Sequence, residues 1–366
     1  MDFSVIIPAR YASSRLPAKL LEDINGKSLI EHTYLNALQS SAKRVIIATD
    51  DERINTVAKG FSAEVCMTSI GHTSGTSRLS EVVTNLEFDD DEVVVNVQGD
   101  EPMLSSEVID QVAHNLVHSG MHVATLCEKI ESESLYFDPN CVKVVYSSRG
   151  KALYFSRSPI PAFRKSKEID LSICCRHIGI YAYRVSFLKK YLQMDNSILE
   201  EAEKLEQLTI LNEGVDIHVE LACGSTGYGI DTKDDLINCD GLAFGTPTRF
   251  GMMASQAKTF WETTSDLWLK GQLIDKPACV FSSSSSMHGG NEATLLNLSL
   301  PLLHHGMMLL GVPYEVPELL ATQTGGTPYG ATHVAGSSNT NTLSKDEIKI
   351  CQSVGKRLTH IARKLQ

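Results

Sequence analysis

The chain has 366 residues, 42% hydrophobic and 21% charged, the proportions of an ordinary globular protein with room for two domains. Its formal net charge of -11 argues against non-specific binding to nucleic acid or to an anionic membrane surface. No window approaches the roughly 18 uninterrupted apolar residues of a membrane span, the start lacks the basic region of a signal peptide, and the 9 cysteines show no CxxC or zinc spacing. The expectation is a cytoplasmic protein with reduced thiols and neither nucleic-acid nor membrane partners.

Phe3 to Ile7 is a β-branched run that reads as a buried strand. It opens into Pro8 to Lys19, a loop of small residues carrying Arg10, Arg15 and Lys19. Small side chains let backbone N–H groups approach an anion, and three cations can neutralise a triphosphate. The plain alternative is a solvated basic loop. The stretch does not match GxxxxGK[ST], which excludes a P-loop NTPase. Apolar residues at helical spacing follow (Leu29, Ile30, Tyr34, Leu35, Leu38), then a second strand, Val45 to Thr49, closed by Asp50. Strand, helix, strand predicts a parallel sheet with right-handed crossovers, and ligands in such sheets lie beyond the carboxyl ends of the strands. That places the basic loop and Thr49-Asp50 on one rim. His72 to Arg78 is small and polar, suited either to a base edge and a phosphate or to a helix cap. Val93 to Val97 reads as a central strand with Gln98, Gly99 and Asp100 at its end. A carboxylate facing a polyphosphate loop suits Mg²⁺, which takes one or two carboxylates plus phosphate oxygens. Asp100 beginning a turn before Pro102 is the alternative.

Seven stretches, in order and in register up to about Leu236, resemble the 3-deoxy-manno-octulosonate cytidylyltransferases, or CMP-Kdo synthetases. They are Val-Ile-Ile-Pro-Ala-Arg-Tyr-Ala-Ser-Ser-Arg-Leu-Pro (5–17), Thr-Ser-Gly-Thr (73–76), Val-Asn-Val-Gln-Gly-Asp-Glu-Pro (95–102), Ala-Leu-Tyr-Phe-Ser-Arg (152–157), Arg-His-Ile-Gly-Ile-Tyr (176–181), Leu-Glu-Gln-Leu (205–208) and Gly-Ile-Asp-Thr (229–232). The resemblance implies an α/β nucleotide-diphospho-sugar-transferase-like fold with a parallel or mixed sheet. It implies transfer of a cytidylyl group from CTP to Kdo, release of pyrophosphate, and a homodimer. Arg10, Arg15 and Lys19 would neutralise the triphosphate; Ser74, Gly75, Thr76 and Arg78 would hold the nucleotide, with Gln98 orienting the sugar. Asp100 and Asp231 would bind Mg²⁺. Arg157, Arg176, His177, Tyr181, Glu203 and Gln207 would form the sugar-acid side. Glu203 and Gln207 are four apart in Ser197 to Leu211, a stretch of good helix formers, which predicts one helix with both side chains on one face; a solvated face is the alternative. Ala18 stands where the family has glycine, and alanine adopts a positive φ less cheaply. A subgroup uses the 8-amino analogue of the sugar; the Arg176-His177 pair favours ordinary Kdo.

From Asp240 onward the chain resembles flavodoxin-like NAD(P)H:quinone oxidoreductases, through Asp240 to Gly251, Ser282 to Gly290, His304 to Met307 and Gly325 to Thr332. That resemblance implies a partial flavodoxin-like module. Thr248, Arg249 and Phe250 would edge an FMN ring, Ser282 to Ser286 would lie around its ribityl side, and His305 would approach the isoalloxazine. The match begins at the third strand of such a fold, so the loop that wraps the FMN phosphate has no counterpart, which argues against FMN binding. The expected domains are 1–238, a cytidylyltransferase, and 239–366, a partial flavodoxin-like unit. A flavin quinone reductase acting through the second module is the alternative function.

Overall fold

In the strand Ser4–Ala9, successive side chains point to opposite faces, and both faces are filled. Val5 and Ile7 pack with Ile30, Val108 and Val112 on one side, while Ile6 packs with Ile46, Leu79 and Val94 on the other. A strand buried on both faces belongs at the centre of a helix-covered sheet, and that is where it lies. The computed structural model describes residues 2–11, 18–24, 26–72, 74–130, 133–164, 169–195, 197–224 and 233–365. The chain forms two compact units, Met1–Tyr228 and Gly229–Gln366.

Among the described residues, the sheet of the first unit has nine strands. Its main path runs Ile217–Leu221, Val123–Lys129, Cys175–Arg184, Val93–Asn96, Ser4–Ala9, Arg44–Thr49 and Glu64–Met67. Pairing is parallel except around Cys175–Arg184, which runs antiparallel to both its neighbours. Lys143–Tyr146 pairs with that same strand and with Ala152–Ser156. Helices Leu29–Ala37 and Ser106–Ser119 bury their apolar residues against one face of the sheet, Gly75–Asn85 and Val185–Tyr191 against the other. The first helix starts where Ser28 Oγ accepts from the Glu31 N–H.

The single helix expected over Ser197 to Leu211 is two. Ile198–Glu203 ends at Lys204, which adopts left-handed φ 52 and ψ 50 and donates its N–H to Glu200 O. A second helix, Gln207–Asn212, follows that break. Glu203 and Gln207 therefore do not share a helical face.

In the second unit, Leu242–Pro247 and Pro277–Ser284 pair in parallel, and Pro277–Ser284 also pairs with Met308–Leu309 at one end and Ala331–Val334 at the other. Helix Asn291–His304 packs against one face of this sheet and Lys345–Leu365 against the other. Among the described residues, Leu242–Pro247 pairs only on one edge. The helix Lys233–Asn238 buries Leu236 in the second unit's core beside Leu242 and Ala278. Among the described residues no helix is long and apolar enough to cross a membrane.

Candidate active site

Three features of the first unit converge at the carboxyl rim of its sheet. The strand Ser4–Ala9 ends at Arg10, Val93–Asn96 leads into Gln98, Gly99 and Asp100, and helix Gly75–Asn85 begins beside them at Ser74. The antiparallel strand brings Tyr181 opposite Asn96 in register. Two cavities result. One, of about 200 Å³, is walled by Pro8, Arg10, Ser74, Arg78 and others. The other, of about 230 Å³, is walled by Asn96, His177, Tyr181, Tyr183 and Gln207 among others. Gly75, Gln98 and Glu206 belong to both walls, so the cavities form two lobes of one cleft.

The nucleotide-motif residues hold this rim stiff. Ser74 caps its helix by accepting from Ser77 N, and Ser77 Oγ returns the bond to the Ser74 backbone. A Cβ on Gly75 would lie 3.4 Å from the Pro8 ring, at the point where the lobes meet. Arg78 is buried and donates to Asp50 at 3.0 Å and to Thr68, so its guanidinium braces the wall from behind. Lys19 and Asp100 form an ion pair at 2.7 Å, both half-exposed. Burial pushes the neighbouring Glu101 carboxyl up, helped by the Asp100 charge.

The second lobe is aromatic and polar. His177 lies against Phe155 and Tyr181, with ring centroids 5.0 and 5.3 Å away. Thr125 Oγ1 donates to Ile180 O at 2.6 Å, so the 3.0 Å contact to His177 has Nε2 as donor. Burial pushes the imidazole down to about 3, keeping it neutral. The Tyr181 hydroxyl and Asn96 Oδ1 are buried wall atoms without a hydrogen-bond partner among the described residues, as expected where a hydroxyl-rich ligand completes the bonding. Glu206 accepts from Thr76 Oγ1 at 3.1 Å. Desolvation raises its pKa, against hydrogen bonds from Thr76 and Ser74 and the charge of Arg10.

The structure thus gathers Arg10, Ser74, Gly75, Arg78, Gln98, His177, Tyr181 and Gln207 on one cleft, with Thr76 on the wall of the second lobe. Arg15 and Asp231 lie outside the described residues. Arg157, Arg176 and Glu203 do not line these two cavities. Arg176 pairs with Glu128 at 2.6 Å. Glu203 accepts from Tyr154, Ser156 and the Arg157 N–H. The residue that spacing missed is Glu206. Its signal was the Leu-Glu-Gln-Leu stretch itself, in which Glu206 stands next to Gln207.

In the second unit, Thr248, Arg249 and Phe250 follow the carboxyl end of Leu242–Pro247, where Thr248 Oγ1 meets Thr294 Oγ1 at 2.6 Å and Phe250 is exposed with φ 54. Ser282 and Ser284 are turned inward, onto Thr246 O and Ser286 O. His305 is not with them. Helix Asn291–His304 runs back along the sheet and carries His305 to the opposite rim, where it bonds Thr264 at 2.8 Å and packs on Trp261.

A family model described as Cytidylyltransferase matches residues 4–217, and one described as NADPH-dependent FMN reductase matches residues 201–314. The 3-deoxy-manno-octulosonate cytidylyltransferase of Ruthia magnifica subsp. Calyptogena magnifica is 63% identical over 236 residues, covering 64% of this chain and 97% of that protein. The Haemophilus influenzae protein of the same name is 52% identical over 244 residues, covering 64% of this chain and 96% of that one. A solved structure of CMP:2-keto-3-deoxy-manno-octonic acid synthetase complexed with CTP aligns at TM-score 0.57 and 42% identity, over 64% of this chain and 95% of the other. Sheet and cleft together define a nucleotidyltransferase. Within that class the chain belongs, through its first unit, to the 3-deoxy-manno-octulosonate cytidylyltransferase family, and a stretch similar to FMN reductases follows.

Proposed function

We infer that the first unit activates Kdo with CTP, giving CMP-Kdo and pyrophosphate for lipopolysaccharide assembly. The observation that carries this reading is a cleft with two polar lobes sharing Gly75, Gln98 and Glu206, which lets two polar substrates meet at one wall. The oxygen of the sugar's anomeric hydroxyl attacks the α-phosphorus and gives up its proton to water, the bond from that phosphorus to the bridging oxygen breaks, and pyrophosphate leaves with the electron pair.

Arg10, Lys19 and Arg15 neutralise the triphosphate as charge builds on the departing pyrophosphate. Ser74, Gly75 and Thr76 present the nucleotide with a helix start and no obstructing side chain, while Arg78 keeps that start fixed through Asp50. Gln98 and Glu206 sit between the substrates. Neutral His177, Tyr181 and Gln207 take sugar hydroxyls.

Asp100 suits Mg²⁺ in one observable respect: it already holds a cation, the Lys19 ammonium, at an open rim. Asp100 is the described carboxylate that would hold the ion, with phosphate oxygens and waters completing its shell. When bound, the ion supplies positive charge at the α-phosphate. With the ion held there, the Lys19 ammonium would be free to contact phosphate oxygens.

The remaining residues of the second unit do not fit FMN. Ser282 and Ser284 donate to backbone carbonyls, Arg249 donates to Thr248 O, and His305 lies at the far rim. The match to an FMN reductase model favours the other outcome, and flavin absorbance in the purified protein would establish it.

The deciding assay is pyrophosphate release from purified protein with Mg²⁺, CTP and Kdo. Release that depends on the sugar is expected, and a parallel reaction with 8-amino-Kdo ranks the two sugars. No release above a no-sugar control would refute the reading.

A further inference from the structure

Kdo is an acid, and its carboxylate calls for a cation. The two arginines expected to supply one are committed elsewhere. Arg176 pairs with Glu128 at 2.6 Å, and Arg157 donates from Nε to Glu203 O at 2.7 Å and from Nη1 to Pro139 O at 3.0 Å. His177 does wall the second lobe, but burial keeps it neutral. Among the described residues one cationic side chain remains on that wall, Lys204.

Its place in the chain points the same way. Lys204 closes the helix Ile198–Glu203 at φ 52 and ψ 50, donating its N–H to Glu200 O at 2.7 Å. Glycine adopts that left-handed conformation freely, whereas a residue with a Cβ is strained in it. The turn therefore gives no reason for a lysine. An internal partner gives none either: Lys204 is exposed, and among the described residues its ammonium has neither a hydrogen bond nor an ion pair. Glu206, two residues on, puts a carboxyl on the same wall. Without Lys204 the described lining would hold a carboxyl and no cation, a poor site for an acid. Asn96 Oδ1 and the Tyr181 hydroxyl, buried in that wall without partners among the described residues, suit the hydroxyls of the same ligand.

We propose that Lys204 is the residue that fits the second lobe to a sugar acid: its ammonium takes the substrate carboxylate, while Asn96 and Tyr181 take hydroxyls. This deepens the cytidylyltransferase reading above and rests on it. Lysine suits an exposed wall position because its compact, strongly hydrated charge rides on a long flexible stem and stays in water until the carboxylate arrives.

The test is steady-state kinetics of the full chain, wild type and Lys204→Met, with Kdo and CTP varied separately and the carboxamide of Kdo as a competitive inhibitor. The carboxamide keeps every hydroxyl and replaces the anion by a neutral group. Lys204→Met is expected to raise KM for Kdo about fivefold, the scale of one exposed charge pair. The inhibition constant of the carboxamide should change less than about twofold, because the group that Lys204 contacts is already gone. KM for CTP should also change less than about twofold, since Lys204 is not on the wall of the Arg10 lobe. An unchanged KM for Kdo, an equal loss for acid and carboxamide, or an equal loss for Kdo and CTP would overturn the proposal. If CTP no longer raises the Tm of Lys204→Met, so that the variant has not folded, Lys204→Gly takes its place; its backbone adopts φ 52 without strain, and it must show the same losses or the proposal fails. A wild-type protein that releases no pyrophosphate with Kdo sinks the functional reading instead, so the two failures are told apart.

Discussion

Ala18 offers a direct measurement of what one methyl group does at the edge of the triphosphate loop. It sits at φ 60 and ψ 12, just before the short helical turn Lys19–Leu21, and donates its N–H to Tyr11 O at 3.1 Å. In that left-handed region a Cβ approaches the following carbonyl, at a cost of about 1–2 kcal/mol. Replacing alanine by glycine removes this strain but frees the unfolded chain by about 0.5–1 kcal/mol. The net for Ala18→Gly is a gain of about 0.5–1 kcal/mol, which for a unit of this size is a rise in Tm of about 1–4 °C. Thermal unfolding of the full chain with and without CTP identifies the first unit's transition as the one the nucleotide raises. A Tm for that transition equal to or below wild type would refute the strain argument.

Asp100→Ala should abolish pyrophosphate release, and Lys19→Met should lower kcat by more than about tenfold while leaving the fold intact, because the pair is half-exposed at the rim; circular dichroism with kinetics checks both. Glu206 has a raised pKa in the folded protein, so its contribution to stability is present below the unfolded carboxyl range and is lost as pH rises through the folded value. Glu206→Gln should therefore be more stable than wild type at pH 7 and lose that advantage near pH 4, by urea titration at both values, while KM for Kdo rises. A Cβ on Gly330 would lie 2.1 Å from Val280 O, a backbone atom in the second unit's central strand. Gly330→Ala should destabilise that unit by about 3 kcal/mol and leave the CTP-shifted transition in place, readable in the same melts.

The core of the first unit is written openly in its sequence. Uninterrupted β-branched runs such as Val5 to Ile7, Val45 to Ile47 and Val93 to Val95 fit only strands covered on both faces. The rule that ligands lie beyond the carboxyl ends of strands then places Arg10, Asp50 and Asp100 on one rim. The left-handed turn at Lys204 is not legible, because lysine carries no signature for it, and a four-residue spacing on good helix formers therefore points to Glu203 in place of Glu206. Arg78 reads as a phosphate ligand from its position after a polar loop, yet its partner Asp50 comes from another strand end. His305 lies at the far end of its helix from Thr248 and Ser282, which sequence adjacency to a flavin motif does not indicate.

The antiparallel strand Cys175–Arg184 has a consequence for the order in which the cleft comes into being. The basic loop, the helix start at Ser74 and Asp100 all lie within the first 100 residues, and the strands that hold them pair with one another. The second lobe waits for Tyr181 to find Asn96, a closure across 85 residues, by the difference of those numbers. Loop-closure entropy grows only slowly with length, so the delay is set less by the search than by synthesis of the later strand. On the ribosome, every wall residue of the Arg10 lobe except Glu206 therefore emerges well before the antiparallel strand that walls the second lobe, and Glu206, which follows that strand, joins both lobes last.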